Sequence, residues 1–349
     1  MDAAVFAAGV GKRLRPLTSV RPKHLLPLAG KPVLRRILEA LDGVGVERAV
    51  ILVSYLGGMI RDAVSSWGLG LETLFIEQGN PMGTGHALKT CGPHLAGDKF
   101  LVVYGDITLT PEVLMDMLDF HGREDGDAVV EAVEVEDVSR YGAIESDGVR
   151  FLKVSEKSRS GRGLANAGLY ILPRKSLELA ERLQRSPRGE YELTDILNMM
   201  VDEGLQVLVH RSRMDWWFDI GAPIDYLEAN LTIMRKEHVK EIGRGARCMG
   251  VLEEPYYVGA GSEIGREAVI SGSTVMDGVL IGGGSIVKES IILDGCRIGG
   301  GCRLTRVIVG DGAVIGDDVE IHGGQGVSVI APNTMIGSGA KITGGGVYP

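Results

Sequence analysis

The chain has 349 residues, 51 of them glycine, with a net charge of −9 and a mean hydropathy of +0.11. An apolar content of 44% excludes a disordered chain, and the length predicts about two domains. The acidic balance excludes a nucleic-acid binder that works through a broad basic surface, but leaves room for a small anionic ligand in a local pocket.

Taken in chain order, residues 3–8 form a short apolar run predicted as a buried strand, followed by a glycine-rich turn. Residues 31–41 (KPVLRRILEAL) carry apolar side chains at helical spacing. A strand at 48–53, a helix at 59–65 and a strand at 71–76 follow, then a helix at 84–90, a strand at 100–103 and a helix at 111–121. Such alternation predicts an α/β domain with a Rossmann-like, mixed but mostly parallel sheet covered on both faces. In sheets of that kind ligands sit beyond the carboxyl ends of the strands, so the loops there are the places to look for chemistry. From 127 to about 209 the signal becomes mixed. Strands are predicted near 128–135, 143–145 and 169–172, with a helix from Lys175, as an insertion able to cover a sugar-sized substrate. A last helix is predicted at 224–238.

Beyond it the composition changes, and 26 of the 51 glycines lie in residues 243–349. Branched or long aliphatic residues recur about every six positions: Val258, Ile264, Ile270, Met276, Ile281, Val287, Ile292, Ile298, Leu304, Val309, Ile315, Ile321, Ile330, Ile336 and Ile342. A six-residue period predicts a parallel β-helix, three units to a coil and about five coils, with the aliphatic side chain inside and glycine at the corner. Five-residue steps (276 to 281, 287 to 292, 304 to 309) and a longer stretch at 321–330 depart from the ideal. The expected organisation is a domain at 1–240, a linker at 241–250 and a β-helix at 251–349. No apolar stretch reaches the ~18 residues of a membrane span, and the apolar start is too short and lacks the basic leader of a signal peptide. Cys91, Cys248, Cys296 and Cys302 form no metal-binding spacing, and the last two are expected to fill the coil rather than to pair. A reduced, cytoplasmic protein is expected.

The segment with the clearest chemistry is Ala7-Ala8-Gly9-Val10-Gly11-Lys12-Arg13-Leu14-Arg15, with Arg21-Pro22-Lys23 soon after. A glycine-rich turn after a buried strand exposes N–H groups to phosphate, and the adjacent cations complement a triphosphate. Neither the dinucleotide fingerprint nor the Walker A pattern fits, because a third glycine is missing and Gly11-Lys12 is followed by arginine. The run resembles the signature of the sugar-1-phosphate nucleotidyltransferases (NDP-sugar pyrophosphorylases). That resemblance continues through Glu77-Gln78, Met82-Gly83-Thr84-Gly85-His86-Ala87, Tyr104-Gly105-Asp106, Tyr141-Gly142, Glu156-Lys157, Asn166-Ala167-Gly168 and Trp217-Phe218-Asp219-Ile220-Gly221, into the repeat domain.

The resemblance implies that a nucleoside triphosphate and a sugar 1-phosphate give an NDP-sugar and pyrophosphate, by positioning and charge neutralisation. It implies that Asp106 and Asp219 hold Mg²⁺. Arg13 would clamp the leaving phosphates, Lys23 would contact phosphates near the reacting centre, and Lys157 would hold the sugar phosphate. Ala8, Gly9 and Gly11 would line the nucleotide, while Gln78, Gly83 and Thr84 would read the base. Gly142, Glu156 and Asn166 would contact the sugar. Where the family often has Glu-Lys-Pro this chain has Glu156-Lys157-Ser158, a loop without the proline's rigidity. Trp216 and Trp217 are expected to pack beside Asp219.

The resemblance also implies a left-handed β-helix and a homo-oligomer, a trimer or a multiple of one, assembled through that domain. A regulatory site and an acetyltransferase using His322 are the alternatives for the same domain. The run Met82–Ala87 resembles that of uridylyltransferases acting on N-acetylglucosamine 1-phosphate, and Asp106 with the Asp219-Ile220-Gly221 context equally resembles thymidylyltransferases acting on glucose 1-phosphate, so UTP or dTTP with either sugar phosphate is favoured. Guanylyl transfer to mannose 1-phosphate and a non-catalytic sugar-nucleotide sensor are the competing readings. A sensor would be expected to lose a metal carboxylate or a phosphate clamp, and here Asp106, Asp219, Arg13 and Lys23 are all present.

Overall fold

The computed structural model describes residues 1–157, 160–212 and 216–349. The chain divides into two compact units, Met1–Val10 with Val33–Asp219, and Gly11–Pro32 with Ile220–Pro349. The strands up to residue 212 are β1 (Asp2–Ala7), the short pair β2 (Pro27–Leu28) and β3 (Lys31–Pro32), β4 (Arg48–Val53), β5 (Glu72–Glu77), β6 (Lys99–Tyr104), β7 (Ala128–Val135), β8 (Gly142–Asp147), β9 (Arg150–Glu156), β10 (Gly163–Pro173) and β11 (Val207–Ser212). The helices are α1 (Val33–Gly43), α2 (Gly57–Ser65), α3 (Thr84–Cys91), α4 (Pro111–Arg123), α5 (Lys175–Glu181), α6 (Leu193–Asp202) and α7 (Pro223–Lys236).

In the first unit, nine strands among the described residues form one sheet in the order β5-β4-β1-β6-β10-β7-β11-β9-β8. Strands β5, β4, β1 and β6 run parallel, whereas β10 lies antiparallel to both β6 and β7. The sheet is mixed: β5, β4, β1 and β6 run parallel, as do β7 and β11, while the pairings of β10, β9 and β8 are antiparallel. The antiparallel turn of direction comes at β10, which follows β9 in the chain and lies between β6 and β7. Residues 128–212 are thus continuous with the sheet and are not appended to it. Every residue of β1 is buried, as a strand covered on both faces requires. Helices α3, α5 and α6 pack on one another over a core that includes Phe100, Tyr170 and Leu197. Strands β9 and β11 and helix α6 have no counterpart among the predicted elements.

In the second unit the strands after residue 240 stack as parallel ladders. One runs Cys248, Ile264, Ile281, Ile298, Ile315, Ile336, and a second Leu252, Ile270, Val287, Leu304, Ile321, Ile342. The third runs Val258, Val275, Ile292, Val309, Ile330. This arrangement is consistent with a parallel β-helix. Val275, not Met276, stacks between Val258 and Ile292, so the assignment of Met276 to the inward row is corrected by one residue. With that correction the short steps become regular: from Val258 to Val309 each coil takes six, six and five residues, a repeat of 17. The step from Val309 to Ile330 carries the extra residues. Gly282 is required by close approach and not by its own torsion angle, since a Cβ there would lie 2.5 Å from the Gly299 carbonyl carbon of the next coil.

Cys296 and Cys302 are free and buried, as expected of coil fillers. Their thiols approach the carbonyls of Gly310 and Gly316 at 3.0 Å, as the Ser285 hydroxyl donates to Gly299 O at 2.7 Å. Each carbonyl lies 14 residues ahead, so cysteine takes the place of a serine donor between coils. The segment Gly11–Pro32 folds with this unit through three short 3₁₀ turns and the β2–β3 pair, with Leu14, Leu17, Leu26 and Leu28 buried. Among the described residues, no helix is long and apolar enough to cross a membrane.

Candidate active site

Among the expected site residues of the first unit, Ala8, Gln78 and Asp106 follow the carboxyl ends of β1, β5 and β6, Gly142 and Glu156 lie on β8 and β9, and Asn166 lies within β10. Ala8 and Gly9 follow β1 directly, Ala8 buried and Gly9 exposed. Gln78 follows β5, its N–H donating to Val53 O at 2.9 Å, and its side chain is buried. The Gln78 Nε2 lies 3.0 Å from Nδ1 of His86 on α3. Burial, and then the charge of Lys89, hold the His86 pKa below its ordinary value, so the neutral ring accepts the amide hydrogen at Nδ1. The Gln78 carbonyl oxygen then faces away from that bond, and the amide is held in one orientation.

Gly83 and Thr84 meet the chain just before α6. Gly83 adopts φ +107°, and a Cβ at this position would sit 2.4 Å from Tyr191 O. Around it, Tyr191 N–H donates to Met82 O at 2.8 Å and Gly85 N–H to Tyr191 O at 2.7 Å. The Thr84 hydroxyl accepts from Leu193 N–H at 2.9 Å. Close approach of two backbones, not substrate alone, therefore accounts for the glycine.

A second group gathers at the β8–β9–β10 edge. Gly142 and Glu156 are register partners, and a Cβ on Gly142 would lie 2.9 Å from Glu156 Oε1 and 3.4 Å from Asn166 Cβ. Glu156 accepts from the Thr194 hydroxyl at 3.0 Å, and burial pushes its carboxyl above the usual carboxylate range. Asn166 sits where a bulge interrupts the β10–β7 register. Its Nδ2 donates to Tyr170 Oη at 2.6 Å, and that hydroxyl donates to Tyr104 Oη at 3.0 Å. Burial raises both phenols, which keeps this chain of hydrogen bonds neutral. Lys157 is exposed at φ +47°, with its N–H donating to Tyr141 O at 3.0 Å. Ser158 lies outside the described residues.

Asp106 and Asp219, far apart in sequence, are brought to neighbouring positions by an antiparallel bridge between Ile107 and Asp219. Thr108 secures it: its N–H donates to Phe218 O at 3.2 Å, and its hydroxyl accepts from Phe218 N–H at 3.0 Å. Trp217 packs edge-on to Tyr141 and donates from Nε1 to Ala167 O at 2.9 Å. Among the described residues no three or more His, Cys, Asp or Glu side chains group as a metal cage. Two hard carboxylates suit a divalent cation that takes its remaining ligands from phosphate and water.

In the second unit Gly11 adopts φ +69° and its carbonyl accepts from the Thr18 hydroxyl at 2.9 Å. A Cβ on Gly11 would lie 3.1 Å from Lys23 Cβ, so these two are neighbours. Arg13 is exposed and Lys23 half-buried.

The "Nucleotidyl transferase" family model matches residues 2–236, about two thirds of the chain. The chain belongs to the nucleotidyl transferase family. A second model, the GMPPB C-terminal domain, matches residues 239–327. The transferase is 34% identical over 238 residues to the Bifunctional protein GlmU of Methanocaldococcus jannaschii, covering 68% of this chain and 55% of that protein. It therefore spans only about half the length of that relative. It is 31% identical over 285 residues to a glucose-1-phosphate thymidylyltransferase of Streptomyces antibioticus, covering 76% of this chain and 79% of the other. The crystal structure of HddC from Yersinia pseudotuberculosis aligns with a TM-score of 0.53 at 28% identity, over 66% of this chain and 99% of that one. In this transferase, His86, Tyr191, Tyr104 and Tyr170 hold the motif residues, and none of them was singled out from the sequence. His86 and Tyr104 lay inside quoted motifs, Tyr191 and Tyr170 outside them.

Proposed function

We propose that the chain is a sugar-1-phosphate nucleotidyltransferase that takes UTP or dTTP, with glucose or N-acetylglucosamine 1-phosphate as acceptor. The acceptor phosphate oxygen attacks the α-phosphorus, the bond to the β-phosphate bridging oxygen breaks, and pyrophosphate leaves. The observation that supports this reading is the Ile107–Asp219 bridge, which brings the backbone of Asp219 alongside the Asp106-Ile107 segment beyond the end of β6. Asp106 and Asp219 are proposed to hold Mg²⁺, which when bound offsets negative charge on the nucleotide phosphates. Arg13 and Lys23 neutralise charge on the triphosphate, and Lys157 binds the sugar phosphate. Ala8, Gly9 and Gly11 approach the nucleotide through the backbone.

Gln78, fixed by His86, presents its amide to the imide edge of a pyrimidine, and Gly83 and Thr84 complete that wall. Gly142, Glu156 and Asn166 face the sugar. We further propose that residues 1–240 carry the chemistry. The repeat from 251 onward, after a 241–250 linker, is proposed as a left-handed β-helix through which copies assemble, as a trimer or a multiple of one. The proposed setting is cytoplasmic, in keeping with four free thiols.

Guanylyl transfer to mannose 1-phosphate is the second reading, supported by the same layout of catalytic domain and coil. A pyrophosphate-release assay decides between them, run with four nucleoside triphosphates against glucose, N-acetylglucosamine, glucosamine and mannose 1-phosphates. The expected result is turnover with a pyrimidine nucleotide and Mg²⁺; no turnover with any pair would sink the enzyme reading. Asp106→Asn is expected to lower kcat at least about 10²-fold while thermal stability stays within a few degrees. Unchanged turnover in that variant would remove Asp106 from the metal site.

A further inference from the structure

Arg13 and Lys23 lie on the segment Gly11–Pro32, which belongs to the compact unit of the coil and α7. Arg21, two residues before Lys23, ties this segment down. Its Nη2 donates to both Asp294 and Asp311, and the Arg21 side chain is only 16% exposed. The two aspartates occupy the same corner of successive coils, each two residues after the register partners Ile292 and Val309. Burial works against the Arg21 charge, but Asp311 and Asp294 outweigh it and hold the guanidinium protonated.

The corner itself is stiff: Asp277 N–H donates to Asp294 Oδ1 at 2.9 Å, and Gly312 N–H to Asp294 O at 2.8 Å. The far side of Lys23 is pinned as well. Tyr226 Oη donates to Pro27 O at 2.8 Å, and Ala29 N–H donates to Asn230 Oδ1 at the same distance.

We propose that Arg21, through Asp294 and Asp311, is a positioning residue for nucleotidyl transfer. Two coil corners set the Arg21-Pro22-Lys23 turn and with it the Lys23 ammonium. The inference rests on the function proposed above and deepens it, because it gives the repeat domain a part in the chemistry besides assembly. The physical ground is that a lysine stem has four rotatable bonds, so its charge is placed only if its backbone is. A misplacement of about 1 Å in a phosphate-binding group is enough to cost about 10²-fold in rate.

The test uses the full chain. Arg21→Ala and the isosteric pair Asp294→Asn with Asp311→Asn are each expected to lower kcat about 10- to 100-fold, with KM for the sugar 1-phosphate within about twofold. Arg21→Lys, which keeps the charge, is expected to recover most of that loss. The triple variant should be no slower than Arg21→Ala alone, because all three residues act through one link. Equilibrium binding of the accepted nucleoside triphosphate is expected to weaken by the same factor in Arg21→Ala as in Lys23→Ala. If Arg21→Ala fails to fold by circular dichroism, the asparagine pair decides. Wild-type rates in folded variants, losses that multiply in the triple variant, or equal rates for Arg21→Lys and Arg21→Ala would overturn the positioning role. An inactive wild type would instead defeat the function reading, which the substrate matrix detects separately.

Discussion

Replacing Gly83 by alanine places a methyl group where the backbone of Tyr191 already lies. The added Cβ would stand 2.4 Å from Tyr191 O and 2.9 Å from Tyr191 N, at φ +107° and ψ 174°, a region open essentially to glycine alone. Backbone strain there costs about 1–3 kcal/mol. Relief to ordinary contact needs a shift of roughly 1 Å, which breaks the bonds from Gly85 N–H to Tyr191 O and from Tyr191 N–H to Met82 O. At about 1 kcal/mol each, the loss totals about 3–5 kcal/mol.

Gly45→Ala is the control, since Gly45 also has a positive φ (+79°) but nothing within 4 Å of its added Cβ, and it should cost only about 1–2 kcal/mol. All three tryptophans (Trp67, Trp216, Trp217) lie in the first unit, so urea unfolding followed by tryptophan fluorescence reports on that unit. Equal destabilisation by the two substitutions would refute the argument that the Tyr191 backbone, and not torsional freedom alone, demands glycine at 83.

Stability should also depend on pH through His210. Burial opposes its charge, but Glu131 at 2.7 Å and Asp116 at 3.3 Å outweigh this and raise its pKa, with Ser212 and Phe120 completing the surroundings. A raised histidine contributes stability that is complete below about pH 6.5 and is lost as pH climbs through the folded-state value. Burial raises the Glu131 carboxyl too, which acts in the same direction. The unfolding free energy is therefore expected to fall as pH rises above about 6.5, and to flatten in Glu131→Gln with His210→Gln; a flat wild-type profile would contradict this. For the thiols, burial pushes Cys91 and Cys296 up to about 12 and raises Cys302 and Cys248 as well, but Cys248 is half-buried where the other three are buried. A disulfide-exchange reagent at pH 8 should modify Cys248 first and the other three only in denaturant, and mass mapping of labelled peptides checks the order.

The α/β alternation and the repeat were legible because both are periodic. Strand β4 was predicted at its observed bounds, and β7 likewise, from runs rich in alanine and branched apolar residues. What escaped had weak local signals. β9 buries Phe151 and Val154, an odd spacing that defeats a two-residue alternation. The inward row was misplaced at Met276 because Val275 and Met276 are both apolar, and only the register with Ile292 separates them. Motif residues were legible by resemblance, but their supports were not. Gln78 with His86, Gly83 with Tyr191, and Arg21 with two aspartates 273 and 290 positions away leave no local pattern. Long-range polar pairing is decided by the fold, and single-sequence periodicity is silent on it.

The 17-residue coil gives this chain a unit of length change. A one-residue difference is taken up locally, as where the register between coils shifts between Glu253 and Tyr256 while the rows on either side stay aligned, and adding or removing a whole coil leaves every row in register. Variation in domain height should therefore come in whole coils of about 17 residues, while other differences are confined to a bulge, as between Glu253 and Tyr256, or to a longer step, as between Val309 and Ile330.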